Sequence, residues 1–303
     1  MPSGAIATAA TTLAVDATAA RVTRALREAE IAAILLKGRS FADWLYDTGE
    51  LRAYSDCDLL VSPEDLERAG TVLSGLGFRR GGPTLPWIGR GVEVDLHDSL
   101  VGIRADRRVA WRELHAHSEC VAHDGMEVDV LDGPGKTLHV ALHAAQHAGY
   151  EPHVIEDLKR AIHRVDHPTW RAAARLAERL DASAAFAAAL CLQADGRALL
   201  GSLDMEVRDP DVEVLLRAEA APALALGFER LRSAAGLRAK TQVAARALFP
   251  EPGMIRYVFG LEEAGPARLG VAYLRRLGWL VPRVIPGLRA WIRARRKAAG
   301  DHA

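Results

Sequence analysis

Segments with strand character end at Leu131, and the rest of the 303-residue chain reads as helix and breaks. That asymmetry constrains the fold more than any other feature. A small sheet must be assembled from the first part of the chain, and the remainder must pack as helices. The chain therefore reads as a sheet-bearing N-terminal part followed by a helical one. Ile31 to Leu36 is an unbroken apolar run of strand length, suited to a central strand covered on both faces. It stops at Lys37-Gly38. Tyr54 to Val61 reads as a second strand, and Val92 to Leu96 alternates apolar and acidic residues as a third. Cys120–Ala122 and Met126–Leu131 flank His123-Asp124-Gly125, the pattern of a hairpin.

Helices are predicted between the strands. One runs from Asp16 to Glu30 with Val22, Ala25, Leu26 and Ala29 on one face, and another from Ser40 to Tyr46. Ser62-Pro63-Glu64-Asp65 starts a third, with Ser62 as cap and Pro63 at the first helical position, ending near Gly75. Residues 1–14 are small and polar and are expected to fray. Asp132-Gly133-Pro134-Gly135 marks a junction. Helices are expected beyond it at 136–149, 154–165, 169–180, 182–201, 211–235 and 238–248, with breaks at Pro252-Gly253 and Gly265-Pro266. The chain thus divides into three parts: a sheet-bearing domain over 1–133, a helical domain over 134–250, and a basic helical segment over 251–303.

Formal charge is zero but unevenly spread. Residues 266–303 carry nine Lys/Arg and one acid, Asp301; the preceding part holds 30 basic and 38 acidic residues. That balance argues against a nucleic-acid groove over the whole protein. Cys57, Cys120 and Cys191 form no CxxC pair, so neither a zinc framework nor a disulfide pattern is indicated. The N-terminal stretch has no secretory pattern and no apolar run reaches membrane-spanning length, so a cytoplasmic location is expected.

The sharpest local signal is Ser55-Asp56-Cys57-Asp58-Leu59-Leu60-Val61. Side chains alternate along a strand, so Asp56 and Asp58 point the same way and Cys57 points into the core. Two carboxylates on one face repel unless a cation compensates. Asp95, in Val94-Asp95-Leu96-His97, can add a third from a neighbouring strand. Three carboxylates without cysteine suit Mg²⁺ or Mn²⁺. The plainer reading makes each Asp a solvated strand-end residue. The context weighs against it: Lys37, Gly38, Arg39 and Ser40 end the preceding strand with a glycine and cationic or hydroxyl donors, and Arg52 precedes the paired aspartates as a phosphate-clamp candidate.

Leu35-Leu36-Lys37-Gly38, Tyr46, Arg52, Asp56-Cys57-Asp58-Leu59-Leu60-Val61 and Val94-Asp95-Leu96-His97 resemble the uncharacterised nucleotidyltransferase family of the polymerase-β-like superfamily. Leu138-His139-Val140-Ala141-Leu142-His143, His147 and Asp157 are similar to that family's helical segment. The resemblance covers about residues 20 to 165. It implies an α+β fold: a nucleotidyltransferase domain with a small mixed sheet and flanking helices, followed by a helical domain over 134–250 that would hold substrate. It further implies Asp56, Asp58 and Asp95 as metal ligands and catalytic carboxylates on Mg²⁺ or Mn²⁺. Lys37, Gly38, Arg39, Ser40 and Arg52 would face the triphosphate of an NTP, ATP first among them. An NMP would pass to an unidentified acceptor hydroxyl or phosphate, with release of pyrophosphate. One departure stands out: the superfamily places Ser directly after the strand-end Gly, whereas here Arg39 follows Gly38 and Ser40 comes one later.

His139, His143 and His147 recur every four residues on one helix face. They read as packed histidines, or as substrate contacts for His143 and His147. Asp157 would orient one of them or form an interhelical ion pair. His97 shares a strand face with Asp95 and reads as a structural histidine or as a further substrate or phosphate contact. In the basic tail, Leu269, Tyr273, Leu277 and Leu280, then Leu288, Trp291 and Ile292, keep helical spacing with arginines between. A docked C-terminal helix is the plainer expectation; contact with a membrane surface through 266–303 is the other. Two further functions stand beside the enzyme: a catalytically silent nucleotide- or metal-binding module, and a peripheral membrane or partner-docking protein.

Overall fold

A computed structural model describes residues 2–82, 85–123, 126–147, 151–207, 210–261 and 265–300. The chain divides into two compact units. The first comprises Met1–Arg80, Pro86–Gln146 and Pro152–Arg208; the second comprises Gly81–Leu85, His147–Glu151 and Asp209–Ala303.

The first unit opens with α1 (Pro2–Glu28), followed by β1 (Ala33–Leu35), α2 (Arg39–Leu45), β2 (Asp56–Val61) and α3 (Leu66–Gly75). Then come β3 (Arg79–Arg80), β4 (Trp87–Gly89), β5 (Val92–His97), α4 (Arg107–Ala116), β6 (Ser118–His123) and β7 (Met126–Leu131). The strands form one seven-stranded mixed sheet in the order β3-β4-β5-β2-β1-β7-β6. β2 runs parallel to β5, and β1 runs parallel to β7 and antiparallel to β2. These pairings put the apolar run at 33–35 in the middle of the sheet, as its unbroken hydrophobicity requires.

One sheet face presents Ala33, Leu35, Cys57, Leu59, Val61, Val94, Val128 and Val130, all buried. Val15, Ala19, Val22 and Leu26 of α1 and Ala69 and Leu73 of α3 close over it. Pleat alternation sends Asp58 and Asp95 to the opposite face, beside buried Ile34 and Leu60. Asp132 ends β7 and its side chain accepts from the Gly135 backbone at 2.8 Å, so one acid both stops the sheet and caps the next helix. That helix is α5 (Gly133–His147), followed by α6 (Pro152–Arg164), α7 (His167–Arg179), α8 (Ser183–Leu190) and α9 (Ala194–Ser202). Asp166 caps α7 through the Thr169 amide, with Pro168 in its first turn.

In the second unit, α10 (Val212–Ala218), α11 (Ala223–Ser233), α12 (Gly236–Leu248), α13 (Pro252–Phe259) and α14 (Pro266–Leu280) precede a 3₁₀ turn (Val281–Arg283) and α15 (Val284–Ala298). Its core joins Val212, Leu215, Leu216, Ala221 and Ala225 to Ala290 and Ala294, with Trp291 against them.

The mixed α+β class with a helical C-terminal part is as expected, but several elements differ. Residues 2–14 are helical rather than frayed, because they are rich in alanine, the strongest helix former. The third helix begins at Leu66, not Pro63: Ser62 organises a turn by accepting from the Glu64 amide at 3.2 Å. The stretches expected as single helices over 182–201 and 211–235 are each broken, the second at Pro222, which lacks an amide donor. α4 was not foreseen, although Asp106 caps it through the Arg108 amide. The turn residues Asp124 and Gly125 of the expected hairpin, and Pro83, lie outside the described residues.

Candidate metal centre

Parallel pairing of β2 and β5 sets Asp58 directly beside Asp95. One ligand atom from each of Asp58, Asp95 and His97 lies within 4.8 Å of the others. Residues from two stretches of chain thus reach one point on the sheet. Asp58 is the centre of the group: its side chain is 3% exposed. His97 Nε2 stands 2.8 Å from its Oδ1, and Lys37 Nζ stands 2.9 Å from its Oδ2. Lys37 also approaches Asp56 Oδ2 at 3.9 Å. Asp56 shares the face of Asp58, is more exposed, and lies outside the three-residue group.

The electrostatics divide the acids. Burial alone would raise Asp58, but Lys37 and His97 outweigh it and hold the carboxyl well below the ordinary range, so it is anionic. An ionised carboxylate only accepts, so His97 donates from Nε2. Asp56 is raised by burial and by the charge of Asp58. Asp95 is raised by burial, with Asp58 adding to the shift against the pull of His97. The outer two carboxyls therefore take up protons more readily than free aspartate, and one ammonium does not neutralise the group. Cys57 faces the core, and burial pushes its thiol up, so it is not a nucleophile.

Gly38 has φ +63° and ψ −118°, backbone that a side chain resists. A Cβ there would sit 3.2 Å from the Tyr54 ring. Tyr54 in turn donates to buried Asp16 at 2.7 Å, and Arg39 stands 3.5 Å from the other Asp16 oxygen. This Asp16–Tyr54–Arg39 group supports the turn after β1 and was missed in the sequence, where nothing marks Asp16 beyond its place on a helix. Arg39 also pairs with Asp43 at 2.6 Å, and the Ser40 hydroxyl is buried without a hydrogen-bond partner. Two clefts flank α2, each of about 290 Å³ and each lined by Arg39 and Asp43. Ser40 and Trp44 line one, Tyr46 and Arg52 the other. Asp56, Asp58 and Asp95 line neither of these two.

Arg52 differs from the phosphate clamp expected. Its guanidinium is buried and pairs with Asp157 through Nε at 3.0 Å and Nη2 at 2.7 Å. Tyr46 donates to the same carboxylate at 2.8 Å. Asp157 is fully buried, so this fork ties the loop before β2 to α6. Asp157 thus serves Arg52 and Tyr46.

His139 and His143 are buried on α5 with rings 6.1 Å apart, and His139 also meets the Phe41 ring at 5.1 Å. Burial, reinforced by Lys37, pushes His139 down to about 3, so it is neutral near pH 7. His147 is half-buried, 3.3 Å from Glu151. None of the three joins the carboxylate group; His97 does.

Among solved structures, an antigenic nucleotidyltransferase-like protein from Paracoccidioides brasiliensis matches at 15% identity, covering 58% of this chain and 91% of that chain with a TM-score of 0.35. No curated protein matches. The family described as uncharacterised nucleotidyltransferase matches residues 3–195. That span is more than half of the chain and contains the whole carboxylate group, and the chain belongs to this uncharacterised nucleotidyltransferase family.

Proposed function

We propose that this chain moves an NMP from an NTP, ATP first, to an acceptor hydroxyl or phosphate, on divalent cations held by Asp56, Asp58 and Asp95. The observation that carries the reading is the adjacency of Asp58 and Asp95 on parallel strands, with His97 in the same group. The residues present fit a cation: a buried anionic carboxylate, two raised neighbours and a lysine drawn in against them. The imidazole extends the expected all-oxygen set and favours Mn²⁺ over Mg²⁺, because Mg²⁺ prefers oxygen ligands. Bound there, the cation would neutralise phosphate charge and polarise the attacking and leaving oxygens.

The chain's own residues do the rest. Lys37 would release Asp58 and turn to the triphosphate, and Arg39 and Ser40, which follow it in sequence, would have to leave their present surroundings to join it. Gly38 sets the backbone shape of the turn after β1. The acceptor oxygen bonds to the α-phosphorus, the bond from that phosphorus to the bridging oxygen breaks, and pyrophosphate leaves. Asp95 takes the acceptor's proton. Arg52 and Asp157 position the loop before β2 rather than touching phosphate. The helices of the same unit after β7, α5 to α9, select the acceptor.

The test is mass spectrometry of a metabolite and RNA mixture incubated with protein, Mn²⁺ or Mg²⁺ and each NTP, alongside pyrophosphate release. The expected result is an NMP mass increment lost in Asp58→Asn and Asp95→Asn proteins whose circular dichroism is unchanged. Transfer retained in both variants contradicts the reading. Calorimetric binding of Mn²⁺ and ATP without pyrophosphate release would make the chain a silent binding module.

A further inference from the structure

The second unit carries an exposed apolar stripe that its own core does not use. α15 docks Gly287, Ala290, Trp291 and Ala294 on α10 and α11. α14 turns Ala272 and Leu280 inward, with Tyr273 donating to the Pro250 carbonyl at 2.6 Å and Arg276 to the Ala247 carbonyl at 3.0 Å. Of the face expected to dock in the last helix, Trp291 is seated on this core, whereas Leu288 and Ile292 lie on a second, open face. Val271, Leu274, Val281, Ile285, Leu288 and Ile292 are all exposed, reaching 69% at Leu274, 71% at Val281 and 61% at Ile285. They recur at helical spacing along α14, the 3₁₀ turn and α15. Trp279 stands at the bend, 46% exposed, with the Arg283 guanidinium 4.0 Å from its ring centroid.

Charge identifies the occupant. From Pro266 to Gly300 the sequence holds nine Lys/Arg and no Asp or Glu. Arg275, Arg289 and Arg293 each come directly after a stripe residue and are exposed. A second copy of the chain would bring like charges together along both edges of the stripe, which disfavours self-pairing. A nucleic acid would use the cations but gains nothing from bare valine, leucine and isoleucine, which do not stack on bases. An anionic bilayer surface uses both halves: the aliphatic side chains and Trp279 enter the headgroup boundary while the arginines meet lipid phosphates and carboxylates. No helix among the described residues is long and apolar enough to cross a membrane, so the contact is one of lying on the surface.

The geometry points to the α14–α15 elbow as a docking surface for anionic membranes, seated by the stripe from Val271 to Ile292 and held by its flanking arginines. This stands independently of the nucleotidyl-transfer reading. The experiment is co-sedimentation of the full chain with phosphatidylcholine vesicles and with vesicles containing about 30 mol% phosphatidylserine, at low and high salt. Two variants accompany it: Val281→Ser/Ile285→Ser/Leu288→Ser, and Arg275→Glu/Arg289→Glu. All five positions are exposed, and circular dichroism checks that the fold is kept. The expected result is binding to the phosphatidylserine vesicles, weakened by salt and by about tenfold or more in each variant. Equal binding to both vesicle types, no vesicle binding at low salt, or unaltered binding by either folded variant overturns the proposal. So does sedimentation as a dimer, or binding to poly(U) without binding to vesicles.

Discussion

Replacing Asp157 by Asn should remove much of the first unit's stability, because it strands a buried cation. The Arg52 side chain is 3% exposed and the Asp157 side chain is wholly buried. In the native protein the guanidinium meets the carboxylate through Nε and Nη2 in three hydrogen bonds, and Tyr46 donates a fourth. The asparagine keeps the volume and removes the charge. Breaking one partner of a buried pair costs about 3–5 kcal/mol, most of it the uncompensated charge left behind. Against a total of about 5–15 kcal/mol for a folded domain, that loss is large. Removing both partners together, as Arg52→Met/Asp157→Leu, leaves no orphaned charge. Its cost should be smaller, on the order of 1–2 kcal/mol for the unpaired Tyr46 hydroxyl and imperfect packing. Urea unfolding followed by circular dichroism reads both, and the double variant should be more stable than either single one. Asp157→Asn proteins with an unmoved urea midpoint, or a double variant less stable than both singles, would refute the buried-pair reasoning. The same proteins separate the two roles considered for Arg52. A positioning pair changes stability while folded protein keeps its Mn²⁺ affinity.

Three further outcomes rest on the same geometry. Gly38→Ala should lose about 1–3 kcal/mol in thermal or urea unfolding, since φ +63° resists a Cβ that would also press on Tyr54. His139, held down to about 3, is neutral when folded, whereas an unfolded histidine protonates near its ordinary value. Stability from this site is therefore complete above about pH 6.5 and declines as the pH falls towards 3; His139→Leu should flatten that acid slope by up to one proton in urea titrations taken across the window. His97→Gln should weaken Mn²⁺ more than Mg²⁺, by about tenfold in calorimetry, because it removes the nitrogen donor and leaves the carboxylates; equal weakening of both metals would place His97 outside the ligand set.

Much of the candidate site could be read locally. The two-residue period of a strand is enough to put Asp56 and Asp58 on one face and Cys57 on the other, and the apolar run ending at Lys37 marks β1 as central. What the sequence left open was the geometry of pairing across distance. The match of Asp58 with Asp95 depends on β2 and β5 running parallel in one register. The bond of Arg52 to Asp157 joins residues 105 apart, a partner that no local pattern around Arg52 announces. Asp16 reaches Tyr54 across the turn after β1 by the same kind of long-range contact. β3 and β4 escape notice for a simpler reason: two- and three-residue strands are too short to show a period. Residues 2–14 mislead because small side chains suggest flexibility, when alanine in series favours helix. The tail shows the converse: its helical spacing is legible, but only packing reveals which apolar side chains the unit buries and which it leaves bare.

The most direct test of the carboxylate group is a Mn²⁺ titration followed by electron paramagnetic resonance, comparing the native chain with Asp58→Asn and Asp95→Asn proteins. Convergence of these residues on one cation predicts saturable binding in the native protein, weakened by about 100-fold in each variant. Native-like Mn²⁺ affinity in both folded variants would show that the acids of β2 and β5 do not share a metal.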